Sequence, residues 1–325
     1  MAIQTYLSKT RNFVMEYLIL FMLVTLVVVT AILQPRFLLP QNFVNLMNQF
    51  GPLAFVALGM TFIIVGGFID LSIPGMISLV AMVTLLLVDV IGELPAMLVG
   101  LSFGALLGCI NGTILVGSGA TTQAKALFIT FGMSQVYRAV ALLIRQGRSM
   151  NRNFMEHPMP ITQTLGSGTI GPFSVSFVVF LFFLALLFLF HKKTLLGRSI
   201  NYMGGNIVAA ELGGIPTKRI MIFIYGLCGF MTAVSAIVLF SRVPVTPPSI
   251  GDFFERDAIM AVVVGGTTLF GGKGSVLRTV LGVSLVVLLS NCMNLLGIQT
   301  HMQEIVRGAV LVVAIWLDHR RHAKG

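Results

Sequence analysis

Apolar residues fall into long runs at roughly 14 to 34, 43 to 65, 71 to 91, 94 to 116, 123 to 144, 170 to 190, 220 to 241, 258 to 270, 275 to 296 and 303 to 317. A helix needs roughly 20 apolar residues to cross a bilayer, so the pattern predicts an all-α, polytopic transmembrane helical bundle of about ten spans. The eighth run is unusually short. The first follows Lys9 and Arg11 and has no small-residue cleavage site after it, which predicts an uncleaved anchor rather than a removable signal peptide.

Two segments break the apolar pattern. Gly66-Gly67-Phe68-Ile69-Asp70-Leu71-Ser72-Ile73-Pro74-Gly75 lies between the second and third runs, and Val264-Gly265-Gly266-Thr267-Thr268-Leu269-Phe270-Gly271-Gly272-Lys273-Gly274-Ser275 ends the short eighth one. If the chain is divided into halves of about five spans, each break falls near the third element of its half. An odd number of spans inverts one half relative to the other, and paired broken helices of this kind often mark a transport pathway. The expected inversion rests on the placement of the breaks, because the halves share no convincing residue identity.

Composition narrows the class. Of 325 residues, 56% are hydrophobic and 10% charged, against roughly 45 to 50% and about 25% in soluble domains. A soluble enzyme and a disordered chain are both excluded, and residues 1–325 read as a single transmembrane domain. The net charge of +10 suggests nucleic acid in a soluble protein, but here its placement matters more. With the N-terminus inside, cytoplasmic segments hold Lys9, Arg11, Lys125, Lys192, Lys193, Arg198, Lys218, Arg219, Lys273, Arg278, Arg320, Arg321 and Lys324. Outer segments hold only Arg36, Arg145, Arg148, Arg152, Arg242 and Arg256. The positive-inside rule then places both termini in the cytoplasm and makes the charge a topology signal, with membrane lipid rather than nucleic acid as the partner. Cys109, Cys228 and Cys292 all lie in apolar runs, so neither a disulfide framework, a metal site nor a cofactor is expected.

The glycine-rich stretch ending at Lys273 fails as a phosphate loop. Thr267 stands where the first glycine belongs, Gly274 follows the lysine in place of Ser or Thr, and no strand precedes it. It reads instead as a tight turn between closely packed helices. Asp70 carries more information, since a carboxylate at membrane depth needs a partner or water. It either caps the helix starting near Ser72, anchors a gate, or touches substrate. Asn111, Gln135, Arg138, Asn291 and Asn294 are polar groups inside spans that need partners away from lipid. Together with Asp70 and Ser72 they are the pathway candidates, with helix-to-helix hydrogen bonding as the competing role for the amides and snorkelling for Arg138.

The longest inner loop, about 191 to 219, contains a short helix at Ile207 to Leu212, stopped by Gly213 and Gly214 before Pro216. Such a helix either lies on the lipid surface or docks a soluble partner.

From about 50 to 318 the chain resembles the permease subunits of bacterial ATP-binding-cassette importers for monosaccharides, of the ribose and galactose type. The resemblance is carried by Gly67 to Ser72, Asn111-Gly112, Leu196-Gly197-Arg198, Gly204 to Ile215, Asp257 to Thr267, and Gly271 to Ser275, in that order and spacing. It implies an inner-membrane permease forming a pore as a dimer with an identical or different second permease chain. It also implies ATPase subunits on other chains, a periplasmic sugar-binding protein, and no catalytic residue in this chain. Asn206, Ala209, Ala210, Glu211 and Gly213 would form the element coupled to the ATPase, and Arg145, Arg148, Arg152, Asp252 and Glu255 would dock the binding protein. The chain departs from the family pattern at Phe68, where a glycine is usual, and at Val208, where a glutamate is usual. A secondary transporter driven by an ion gradient, with Asp70 as the ion site, is the rival reading. A membrane scaffold is a third, but gives no reason for the paired breaks.

Overall fold

A computed structural model describes residues 20–322. The start of the expected anchor with Lys9 and Arg11, and Lys324, lie outside the described residues, as do the side chains of Arg320 and Arg321.

The described residues are all-α apart from two short antiparallel strand pairings. Helix α1 (Leu20–Leu33) leads through a 3-10 turn at Pro35–Leu38 to α2 (Pro40–Val65), α3 (Ile73–Ile91), α4 (Glu93–Gly117) and α5 (Gln123–Ile144). A structured connection follows, with β1 (Met150–Asn151), α6 (Pro160–Ser167), β2 (Thr169–Ile170) and β3 (Phe173–Ser174). Then come α7 (Val175–Lys193), α8 (Leu195–Gly205), α9 (Ile207–Leu212), α10 (Thr217–Ser241), β4 (Val245–Thr246), α11 (Phe254–Val264), α12 (Val276–Leu295) and α13 (Thr300–His322). Strands β2 and β3 form an antiparallel hairpin, and β1 pairs antiparallel with distant β4 through Met150 and Thr246.

Seven of these helices, α2 to α5, α7, α10 and α12, are long and apolar enough to cross a membrane. The eighth apolar run becomes the 11-residue α11, which stops at Gly265 and Gly266. Burial sorts the spans: 89% of the most apolar window of α2 is inside the fold, as is 72% of those of α3 and α10, against 22% for α5 and α7. Helices α2, α3 and α10 therefore form the centre, and α5 and α7 turn apolar side chains outward.

In a bilayer, lipid is as apolar as leucine, so helices associate through close packing more than through exclusion of water. The α4–α10 contact is built that way. Gly104, Gly108 and Gly112 recur every fourth residue on α4 and face Gly229, Tyr225 and Ile222 of α10. A methyl group on Gly108 would be driven into the Tyr225 carbonyl, and one on Gly112 would come within 2.7 Å of the Ile222 Cα. Between α2 and α7 the packing is aromatic: Phe50 and Phe55 meet Phe180 edge-on, with ring centroids 5.0 and 6.2 Å apart.

Candidate functional site

At the first break, helix α2 ends at Gly66, and Gly67 takes a positive φ of 88° that favours glycine. Helix α3 starts with Pro74 in its first turn, where a missing N–H costs nothing. Between them residues 68–72 form neither helix nor strand and are buried apart from half-buried Leu71, so their backbone polar groups need internal partners. Asp70 Oδ1 accepts the Ser72 backbone N–H at 2.9 Å and the Ser72 hydroxyl at 2.6 Å. Asn111 of α4 donates to Ser72 Oγ at 2.7 Å, and the Tyr137 hydroxyl of α5 donates to Asn111 Oδ1 at 2.7 Å. Thr130 of α5 accepts the Leu71 N–H at 3.0 Å, and the Tyr225 hydroxyl of α10 donates to the Ile69 carbonyl at 3.1 Å. The break is thus tied to three helices at once. Asp70, Ser72, Asn111, Thr130 and Tyr225 are all completely buried, and Asp70 Oδ2 has no hydrogen-bond partner among the described residues.

The second break closes on itself as a turn. The Thr268 N–H donates to the Lys273 carbonyl at 3.0 Å, and Gly271 and Gly272 take positive φ values of 85° and 76°. It then meets the first break. The Gly272 N–H donates to the Val65 carbonyl at 2.8 Å, and a methyl group on Gly271 would lie 2.7 Å from the Gly67 Cα. Gly204, near the end of α8, completes the junction: a side chain there would run into the Val65 carbonyl and come within 2.7 Å of the Gly272 nitrogen. Three segments far apart in sequence therefore touch backbone to backbone. Gln123 at the start of α5 adds a bond to the Leu269 carbonyl at 2.8 Å.

Helix α9 leaves this junction directly. The Asn206 side chain caps it by accepting the Ala209 N–H at 3.0 Å, and Gly214, with φ 79°, turns the chain after it. Ala210 is buried, while Val208 and Leu212 are 62% and 86% exposed. Glu211 accepts the Thr217 hydroxyl, which fastens α9 to the first turn of α10. Asn206, Ala209, Glu211 and Gly213 lie at the surface with them.

The remaining candidates are placed as follows. Arg138 pairs with Asp252 at 3.0 Å, joining one residue read as pathway to one read as docking. Asn291 and Asn42 exchange reciprocal amide bonds at 2.9 and 3.2 Å, linking α12 to α2. Asn294 accepts from Gln303 at 2.8 Å, and Gln135 is exposed on α5. Arg145 and Arg148 are exposed, Arg152 donates to the Ser241 carbonyl at 2.9 Å, and Glu255 is half-buried. Sequence reasoning missed Tyr137, Thr130 and Tyr225, since nothing local distinguishes a hydroxyl in an apolar run as a bonded one. It also missed Glu93, which accepts the N–H groups of Ile161 and Thr162 and so caps α6 from another helix. Among the described residues no cluster of His, Cys, Asp or Glu could hold a metal ion.

Residues 42–315 match the family described as branched-chain amino acid transport system / permease component, which places the chain among membrane permeases. It belongs to the permease family of bacterial ATP-binding-cassette sugar importers. It is 32% identical over 314 residues to the ribose import permease protein RbsC of Escherichia coli (strain K12), covering 96% of each chain. The RbsC of Bacillus subtilis (strain 168) is 34% identical over 300 residues, 92% of this chain and 91% of that one. The xylose transport system permease protein XylH of Escherichia coli (strain K12) is 28% identical over 336 aligned positions, covering 87% of this chain and 86% of that one. No solved structure matches the chain.

Proposed function

We propose that this chain is the membrane-spanning subunit of an ATP-driven importer for a monosaccharide or related small polyol. The family description names amino acids, but the full-length likeness to ribose permeases favours a sugar. In this reading the chain sits in the bacterial inner membrane as one domain with both termini cytoplasmic. It spans the bilayer about ten times, with the two breaks as corresponding elements of inverted halves. It pairs with a second permease chain to enclose the pathway, takes sugar from a periplasmic binding protein, and is driven by ATPase subunits on other chains.

The observation that carries this reading is the continuity from α9 to both breaks. Val208 and Leu212 offer apolar contacts to an ATPase, while Asn206, Ala209, Ala210, Glu211 and Gly213 fix the shape of the helix that presents them. The end of α8 then sits between Val65, Gly67 and Gly272 with no side chain to absorb a shift. ATPase movement biases inward- and outward-facing states only through contacts that differ between them, and a backbone-to-backbone junction is suited to that. Asp70, Ser72 and Asn111 act as the gate anchor, Asn291, Asn294, Gln135 and Arg138 border the pathway, and Arg145, Arg148, Arg152, Asp252 and Glu255 face the binding protein. Purification from native membranes in mild detergent tests the reading: an ATPase subunit should accompany the chain, with activity lost on Ala210→Asp.

A second reading has one observation in its favour. The Oδ2 of buried Asp70, which has no hydrogen-bond partner among the described residues, suits a proton or sodium ion, as a gradient-driven transporter requires. Uptake abolished by a protonophore at constant ATP would favour it.

A further inference from the structure

At the end of α2 away from the glycine junction, an open groove of about 430 Å³ is lined by Arg36, Gln41, Asn42, Asn45 and Asn48 together with Leu39 and Val44. That volume lies within the roughly 300 to 1,000 Å³ of small-molecule sites. Gln41, Asn45 and Asn48 are spaced i, i+4 and i+7, so they share one face of the helix. Gln41 and Asn45 are exposed, whereas Phe43, on the opposite face, is an exposed apolar residue of the kind lipid covers. A stripe of carboxamides on a membrane-spanning helix cannot face hydrocarbon, because its donors and acceptors would go unmet there.

We infer that this groove is the outer mouth of the translocation pathway and that its carboxamides guide the uncharged, hydroxyl-rich solute. The inference rests on the importer reading above and names residues that reading does not use. Each carboxamide offers a donor and an acceptor side by side, which matches neighbouring hydroxyls, and Leu39 and Val44 supply apolar contact for the C–H faces between them. Asn42 forms a fixed wall. Its amide is already committed to Asn291 and to the Phe37 carbonyl, the latter at 2.9 Å, so the Asn291 pair supports the groove from behind. Further in, Asn48 Oδ1 is buried with no hydrogen-bond partner among the described residues. Pro52, on the same face, has no N–H to give the Asn48 carbonyl one turn before it. From Phe50 onward α2 is buried on every side, which closes the groove at its inner end.

Cysteine accessibility tests this in cells carrying the full importer. Asn45→Cys and Asn48→Cys are treated with a membrane-impermeant cationic thiol reagent, with Phe43→Cys as the lipid-side control and the parent chain as the blank. Both asparagine positions should react on the order of tenfold faster than Phe43→Cys, since the thiolate forms in water and not in lipid. Reaction should slow at saturating concentration of whichever monosaccharide the parent chain accumulates from a pentose and hexose panel. Labelling of Asn45→Cys and Asn48→Cys no faster than Phe43→Cys overturns the groove assignment, and fast labelling that the imported sugar leaves unchanged overturns the guiding role. A parent chain that accumulates no sugar from the panel counts against the importer reading instead, while the labelling contrast still decides whether the groove is wet.

Discussion

The Gly272 amide donates to the Val65 carbonyl at 2.8 Å, joining residues more than half the chain apart and binding one broken element to the other. Val65 is the last residue of α2, so its carbonyl lacks a partner within the helix and is free to accept from outside. The same oxygen limits what α8 can carry at Gly204. One backbone atom thus fixes the mutual position of both breaks and of the segment leading into α9.

The Asp70–Ser72–Asn111–Tyr137 chain is expected to behave as a unit. Tyr137→Phe keeps the ring and deletes the hydroxyl, leaving Asn111 Oδ1 buried without that donor, at a cost of about 1 to 3 kcal/mol. In a double-mutant cycle, Ser72→Ala and Asn111→Ala should show a coupling of about 0.5 to 3 kcal/mol. Unfolding of the purified chain in detergent measures both, and additive effects would show that the hydrogen bonds are not cooperative.

The glycine seam between α4 and α10 makes a second expectation. Gly108→Ala should destabilise by about 1 to 3 kcal/mol, because the methyl group meets backbone that cannot yield. Gly132→Ala on α5 has open space around it and should be neutral or stabilising by up to about 1 kcal/mol, as Ala favours helix over Gly. Melting temperatures of the two variants in the same detergent provide the comparison.

How far the sequence reveals this architecture depends on the range of the interaction. The broken segments are legible because glycine, proline and a carboxylate interrupt apolar runs locally, and the α9 stop is legible from Gly213, Gly214 and Pro216. The every-fourth glycines of α4 carry a local close-packing signal of the same kind, which sequence reasoning passed over. What is not legible is pairing. Arg138 and Asp252 are each visible as charges, yet neither residue specifies the other, and they invite separate roles until the fold brings them within 3.0 Å. Tyr137 has no local marker, since a phenol in an apolar run reads like any aromatic. The meeting of Gly67, Gly204 and Gly271 is likewise a property of the packed fold.

The Arg138–Asp252 pair should contribute little stability despite its good geometry. Their side chains are 37% and 27% exposed, so solvent screens the attraction, and Asp252→Asn should cost no more than about 1 kcal/mol. If these charges also meet the binding protein, the substitution should weaken docking far more than it lowers the melting temperature. Salt-dependent binding of that protein to the reconstituted permease separates the two effects.

Leu212→Asp offers a probe of α9 that should spare the fold. With 86% of its surface exposed, Leu212 contributes little to the core, so the stability change should stay within about 0.5 kcal/mol. Retention of the ATPase subunit during purification should nevertheless fall sharply. Undiminished recovery would remove Leu212 from the contact.

The most direct measurement of the central claim, that ATPase movement reaches both breaks through the α8 end, is the amount of sugar moved per ATP hydrolysed by the reconstituted importer carrying Gly204→Ala or Gly205→Ala. At Gly204 the methyl group is driven into the Val65 carbonyl, whereas at Gly205 it meets open space. The account predicts that Gly205→Ala transports like the parent while Gly204→Ala assembles, hydrolyses ATP and moves little sugar. Equal transport per ATP in the two variants would contradict it.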